Sequence, residues 1–438
     1  MNSKNIIINF SLLVIFLILI NKIIVIFVSF DNYVNFNELF INYEGGFLRR
    51  GLLGQVAIYL FKNFSVSPVI FFSVVFSGAN IIFFILFIKF IKKFRNNIFL
   101  YLVLLFSPAT LMFSIFDSVN FFNNQIFVLI VILSHCLLAL KYFNEAKKYK
   151  KYFLLFILPF LFLNILQYDP QVLTLPAHIL VTYIVLSQDS QKSYKPIYYY
   201  IFLLIPILLI AFNAGSLEQI NGEKMKEIVI NTYGFILIDH PESFSMIDTN
   251  DLGGNLNLKI GAIIKIFGIY FTYWNKLYLL LGALLSIIFF ILIFSYFISK
   301  KIFITNVRSK ILIFGFVPLL SILFFITDFG RAMHIILIHL LSIYFLFEIN
   351  KNKEEIAIKN INFFEKILIT FFIVIYCNIW TLNHATGWYT IFNPKSPAYS
   401  KHSSYMNEFK KIIFNTFYYT DKYIINLPKA EFMKNYLK

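Results

Sequence analysis

IIINFSLLVIFLILINKIIVIFVSF, residues 6–30, decides the fold. Lys22 is the one ionisable side chain in the run. At about 1.5 Å of rise per residue, a helix of this length covers the roughly 30 Å hydrocarbon core of a bilayer. The run follows Lys4 as a secretory leader would, but it is too long for a leader's apolar core. No small-residue cleavage site follows it, so a retained first helix is expected.

Working outward, similar runs recur along the chain. Eleven spans are expected, at approximately 6–30, 66–90, 98–116, 124–142, 152–168, 172–187, 196–213, 277–298, 311–327, 332–348 and 367–384. Whole-chain composition agrees. A chain that is 59% hydrophobic and 14% charged, with mean hydropathy +0.75, would leave too much apolar surface in water as a soluble domain. The expected fold class is all-α: a polytopic membrane protein of about 11 transmembrane helices, with an interfacial helix in the first outer loop. The helical domain is expected over 1–384, with outer loops 31–65 and 214–276 and an extracytoplasmic tail 385–438. Cys136 and Cys377 both fall inside spans, which argues against a disulfide framework or a thiolate metal site.

The formal net charge of +16 would point a soluble chain toward nucleic acid, but here placement matters more than the sum, and no nucleic-acid partner is expected. Lysines and arginines gather in alternate loops: Lys89, Lys92, Lys93 and Arg95; Lys141, Lys147, Lys148, Lys150 and Lys151; Lys192 and Lys195; Lys300, Lys301, Arg308 and Lys310; Lys351, Lys353, Lys359 and Lys366. The short turns 117–123 and 169–171 carry none. By the positive-inside rule the N-terminus is cytoplasmic, and 31–65, 214–276 and the tail lie outside. Acids converge on that outer side, among them Asp31, Glu38, Glu44, Asp117, Asp169, Asp239, Glu242, Asp248, Asp251 and Asp328. One extracytoplasmic site assembled from several loops is the simplest reading.

The densest polar stretch is DNYVNFNELFINYEGGFLRRGLLG, residues 31–54, which follows the first run directly. Asp31 sits at the outer end of helix one, where partial desolvation suits a general base or cation ligand; the plainer role is to end the span. Gly45 and Gly46 break any preceding helix, and a new one is expected near Phe47 with Arg49 and Arg50 in its first turn. Cations are disfavoured at that end of the dipole unless an anion binds the guanidiniums and free amides together. A phosphate or pyrophosphate is the expected anion; the plainer alternative is arginines that snorkel to lipid headgroups. Gly51 and Gly54 permit close approach by a helix or ligand.

Asp328 and Arg331 occupy a later outer turn, and Arg331 either neutralises Asp328 or lines the same cavity as Asp31 and Arg49. His334 and His339, five apart, do not share a helical face closely, so a joint metal site is not expected, and His334 beside Arg331 is the better candidate. Asp169 lies in the tight turn set by Pro170. Asp239, Glu242, Asp248 and Asp251 match no defined metal motif, although acids of this kind bind divalent cations or sugar hydroxyls. Residues 259–276 have the composition of an interfacial helix.

An acid just after helix one, an interfacial segment and many spans resemble the GT-C superfamily of membrane glycosyltransferases. The YEGGFLRRGLLG block, residues 43–54, also resembles hydrophobic proteins of bacterial surface-polysaccharide clusters, including O-antigen polymerases. The resemblance covers the topology and about twenty-five residues. It implies polyprenyl-phosphate-linked saccharides as donor and acceptor, handled at the outer face of the bacterial inner membrane. It implies Asp31 as base or metal ligand, with Glu38 or Glu44 as fallback; the superfamily's second paired acid has no counterpart here. No cofactor is required by this reading beyond an optional divalent metal. Asp31 or Glu44 would deprotonate the acceptor, Arg49, Arg50 and Arg331 would meet the leaving phosphate, and Glu38, Asp169, Asp328 and His334 would line the site. The rival expectations are a transporter or flippase of lipid-linked saccharide and a non-catalytic assembly subunit. A transporter predicts charged groups deep in several spans, whereas Lys22 is the main one here.

Overall fold

The structure, a computed structural model, describes residues 3–28, 39–44, 51–94, 98–107, 109–116, 123–186, 222–233 and 329–351, with isolated positions between 288 and 371. Every described element is helical. Four helical stretches are long and apolar enough to cross a membrane: Asn5–Ile24, Pro68–Ile91, Ile98–Ile115 and Ala146–Gln167. Three shorter apolar helices, Gln125–Lys141, Gln171–Leu186 and Arg331–Tyr344, accompany them. These coincide with the first six expected spans and the tenth. The described part of the chain is all-helical, and its long apolar helices are those of a membrane-embedded protein. The spans expected at 196–213, 277–298, 311–327 and 367–384, the stretch 259–276 and the tail fall outside the described residues but for isolated positions.

In chain order the helices are α1 (Ser3–Val28), α2 (Leu52–Phe64), α3 (Pro68–Ile91), α4 (Ile98–Phe106), α5 (Leu111–Phe116), α6 (Gln125–Lys141), α7 (Ala146–Tyr152), α8 (Leu158–Gln167), α9 (Leu175–Leu186), α10 (Gly222–Tyr233) and α11 (Phe329–Lys351). Prolines punctuate them. Pro68 opens α3, where its missing N–H is no loss. Pro159 cannot donate to the preceding turn, and residues Phe153–Ile157 widen into a π-helical turn that joins α7 to α8. Pro170 lies in a 3-10 stretch, Asp169–Thr174, that leads into α9. Ser65 ends α2 in the left-handed conformation at φ 53°, and its N–H donates to the Phe61 carbonyl.

α6 is the hub. It packs against α3, α9, α11 and the α7–α8 rod, and most of its side chains are buried. Around it, α1 exposes Ile6, Phe10, Leu13 and Leu17 along one stripe, and the rod exposes Leu155, Phe156, Phe160 and Leu163. Large apolar side chains turned outward from a packed bundle are what a lipid-facing surface requires. Lys22 is only 6% exposed and is engaged by its neighbours, so it does not snorkel away from the bundle. Just after the turn between α6 and α7, Lys148 in the first turn of α7 pairs with Glu145 at 2.5 Å. Both partners are well exposed, so the pair adds little to stability.

Candidate functional site

A polar cluster is built where residues 39–44 meet the start of α2. Gly54 lets the two backbones touch. A Cβ at Gly54 would stand 2.8 Å from the Leu39 carbonyl oxygen and collide with that of Ile41. The close approach foreseen for this glycine is made by the chain's own backbone. Gln55, one residue on, then ties the segment down with both ends of its amide. Its Oε1 accepts from the Tyr43 N–H at 2.9 Å, and its Nε2 donates to Glu44 Oε1 at 3.0 Å. Asn42 completes the turn: its Oδ1 accepts from the Glu44 N–H at 3.0 Å and its Nδ2 donates to the Phe40 carbonyl at 3.1 Å. The half-buried Glu44 carboxylate is thereby held in one place beside the first turn of α2.

α10 closes the other flank. Tyr233 packs edge-on against Phe40 and Phe61, with ring centroids 5.6 and 5.0 Å away. Burial raises its phenol's pKa, as it does that of Tyr43, which is pushed up to about 12. Both phenols therefore stay protonated at neutral pH. A cleft of about 500 Å³ opens between the C-terminal half of α2 and α10, lined by Phe61, Lys62, Ser65, Ile228, Asn231 and Thr232.

Asp31, Glu38, Arg49, Arg50 and Asp328 lie outside the described residues, as do Asp239, Glu242, Asp248 and Asp251. α2 is described from Leu52, with Gly51 at its N-cap, and the amides there are not all open to an anion. The Leu53 N–H donates to Gln167 Oε1 at 2.9 Å, because a helix-start amide in a packed setting must find an acceptor. Asp169 opens the 3-10 stretch, and its side chain is not among those described. Arg331 is half-buried in the first turn of α11.

His334 and His339 go to different neighbours, as their spacing implies. His334 is fully buried edge-on against Phe113, at 4.7 Å between ring centroids, and Phe83, at 6.3 Å. The Thr110 backbone faces it, but neither ring nitrogen meets hydrogen-bond geometry with any described residue. His339 stands edge-on to His178. Glu44 and His334 share no partner among the described residues. No group of three or more His, Cys, Asp or Glu side chains among the described residues could hold a metal ion.

Sequence reasoning missed a second cluster. Among the described residues the bundle buries hardly any Lys, Arg, Asp or Glu, yet His135 and His178 are buried in it, each on a different helix, together with Tyr149 and Thr182. The available signal was an ionisable residue inside an apolar run, which in a membrane calls for a partner. Comparison with protein-family models, curated proteins and solved structures returned no match for this chain.

Proposed function

We propose that the chain is a glycosyltransferase of surface-polysaccharide assembly in the bacterial inner membrane, using polyprenyl-(pyro)phosphate-linked sugar donors at the outer face. The observation that carries this reading is the Glu44 carboxylate, held by Gln55 at the start of α2, next in the chain to the Arg49–Arg50 pair and between two candidate spans. Transfer requires a base that takes the acceptor O–H proton as the acceptor oxygen bonds to the anomeric carbon. The bond from that carbon to the donor phosphate breaks, and cationic groups meet the departing charge. Asp31 or Glu44 serves as base, Arg49, Arg50 and Arg331 receive the phosphate, and the neutral Tyr43 phenol is a hydrogen-bond donor beside them. Glu38, Asp169 and Asp328 line the substrate site, and His334, packed between Phe83 and Phe113, takes no direct part.

The test is transfer of labelled sugar from a polyprenyl-phosphate donor by purified Asp31→Asn, Glu44→Gln and Arg50→Ala variants that insert normally. Loss of a general base lowers turnover by about 10²–10⁴-fold, and loss of a phosphate cation by a similar order. Full transfer by all three variants would overturn the reading. Assays with a chelator and with added Mg²⁺ decide whether a divalent metal takes part.

A further inference from the structure

We propose that the basic end of the α6–α7 hairpin binds the headgroup of an anionic phospholipid. The site is separate from the transfer chemistry and does not depend on which leaflet the hairpin faces. Residues 141–151 hold five lysines, Lys141, Lys147, Lys148, Lys150 and Lys151, against one acid, Glu145. Glu145 is paired with Lys148. Lys141, Lys147 and Lys151 are exposed, and no carboxylate among the described residues pairs with them.

Lysines in a turn are ordinary, and what distinguishes these is where their helix goes next. α7, the π-helical turn and α8 run on as one rod, Ala146–Gln167. Its exposed positions begin with Lys147, Lys148 and Lys151 and continue, three or four residues apart, through Leu154, Leu155, Pro159 and Leu163. The lysines therefore head the same stripe that faces lipid. From Lys151 to Gln167 the rod rises roughly 24 Å, most of a hydrocarbon core about 30 Å thick. With the Gln167 end at one boundary of the core, the long lysine side chains reach the headgroup layer at the other.

A second helix contributes. Tyr142, just past α6, stacks on Tyr152 of α7, with rings 13° from parallel and centroids 5.0 Å apart. Tyr152 stacks in turn on Phe156 at 6.0 Å. Lys141 Nζ, from the last turn of α6, stands 5.2 Å from the centre of the Tyr142 ring. Tyrosines favour headgroup depth, and here they gather cations from two helices around one stack. Basic pockets between membrane helices hold anionic headgroups in this way.

The ligand chemistry is a phosphodiester that keeps its net negative charge. Lysine ammoniums meet the non-bridging oxygens as point charges, and the acyl chains lie along Leu154, Leu155 and Phe156, all exposed. A soluble acidic protein or a nucleic acid fits the patch less well, because the stripe turns the cations toward the bilayer surface and not toward bulk water.

The test is native mass spectrometry of the delipidated full chain in detergent, titrated with phosphatidylglycerol or phosphatidylcholine of identical acyl chains. Wild type should bind phosphatidylglycerol about tenfold or more tightly than phosphatidylcholine, whose choline cancels the phosphate charge. Each exposed lysine removed should lower that affinity about fivefold, so Lys141→Gln loses about fivefold and the double variant Lys147→Gln with Lys151→Gln about 25-fold. Lys147→Arg with Lys151→Arg keeps the charge and the affinity. Lys62→Gln, which removes an exposed lysine of α2, leaves the affinity unchanged. Equal binding of the two lipids, full binding by the double glutamine variant, or an equal loss in Lys62→Gln overturns the proposal. Displacement of the lipid by millimolar inorganic phosphate would mark a site for soluble anions and overturn it as well. Should the glutamine variants fail to insert, the wild type decides: its preference for phosphatidylglycerol shrinks at high salt, and a preference indifferent to salt overturns the assignment.

Discussion

Gln55 is a single amide that serves two partners of opposite character, the Tyr43 N–H and the Glu44 carboxylate. Gln55→Leu leaves both without it, and each orphaned group in a partly buried place costs about 1–3 kcal/mol. Gln55→Glu is worse for Glu44, since it sets one carboxylate against another. Thermal unfolding in detergent should show both variants below wild type, with the gap to Gln55→Glu narrowing at acid pH. Tyr43 gives a pH signature at the other end of the scale. Its folded pKa, about 12, lies above the ordinary 10, so the folded state keeps a proton the unfolded state has lost. Stability present below pH 10 is therefore lost as pH rises from 10 toward 12, and Tyr233 acts in the same direction. The unfolding midpoint should fall less steeply over that window in Tyr43→Phe; equal slopes would show that Tyr43 is as open to water as in the unfolded chain. The glycine at 54 was legible in the sequence as a site of close approach. Its partner was not, because nothing local says that residues 39–41 fold back onto it.

Among the elements, α2 shows how far the sequence reaches. Its existence follows from the Gly-Gly break and the apolar spacing after it, and so does its place before α3. What was not legible is the partner of its first turn, which comes from another helix. Gln167, the last residue of α8, accepts from the Leu53 N–H over a sequence separation of 114. Gln167→Leu should destabilise by about 1–3 kcal/mol and raise hydrogen exchange in the first turn of α2 selectively. Gln167→Glu keeps the acceptor and adds a negative charge where the helix dipole favours it, so it should restore protection. Exchange unchanged by Gln167→Leu would mean that the cap is idle. The histidine pair was hidden for the same reason. Its partners stand 43 residues apart along the chain, and hydropathy registers each histidine as a small dip in an apolar run.

Over the whole molecule, the positions of the described spans were legible because a bilayer leaves few alternatives: each backbone polar group must be satisfied within its own helix, and a long apolar run meets that demand in one way. Orientation rests on where the lysines sit. The turn between α6 and α7 is followed by Lys147, Lys148, Lys150 and Lys151, whereas the turn between α2 and α3 has only Lys62 nearby. Moving the basic turn across the membrane would place several cations on the side that insertion disfavours. Asn63 and Asn144 are exposed positions in these two regions and serve as reporters. With Cys136 and Cys377 replaced by Ala, Asn63→Cys should react with an impermeant maleimide from outside intact cells, and Asn144→Cys only in inverted vesicles. The opposite pattern would put Glu44, Gln55 and the start of α2 on the cytoplasmic side. Soluble nucleotide sugars are at hand there, so the expected donor would change with the orientation while the hydrogen-bonded geometry around Glu44 stayed as it is.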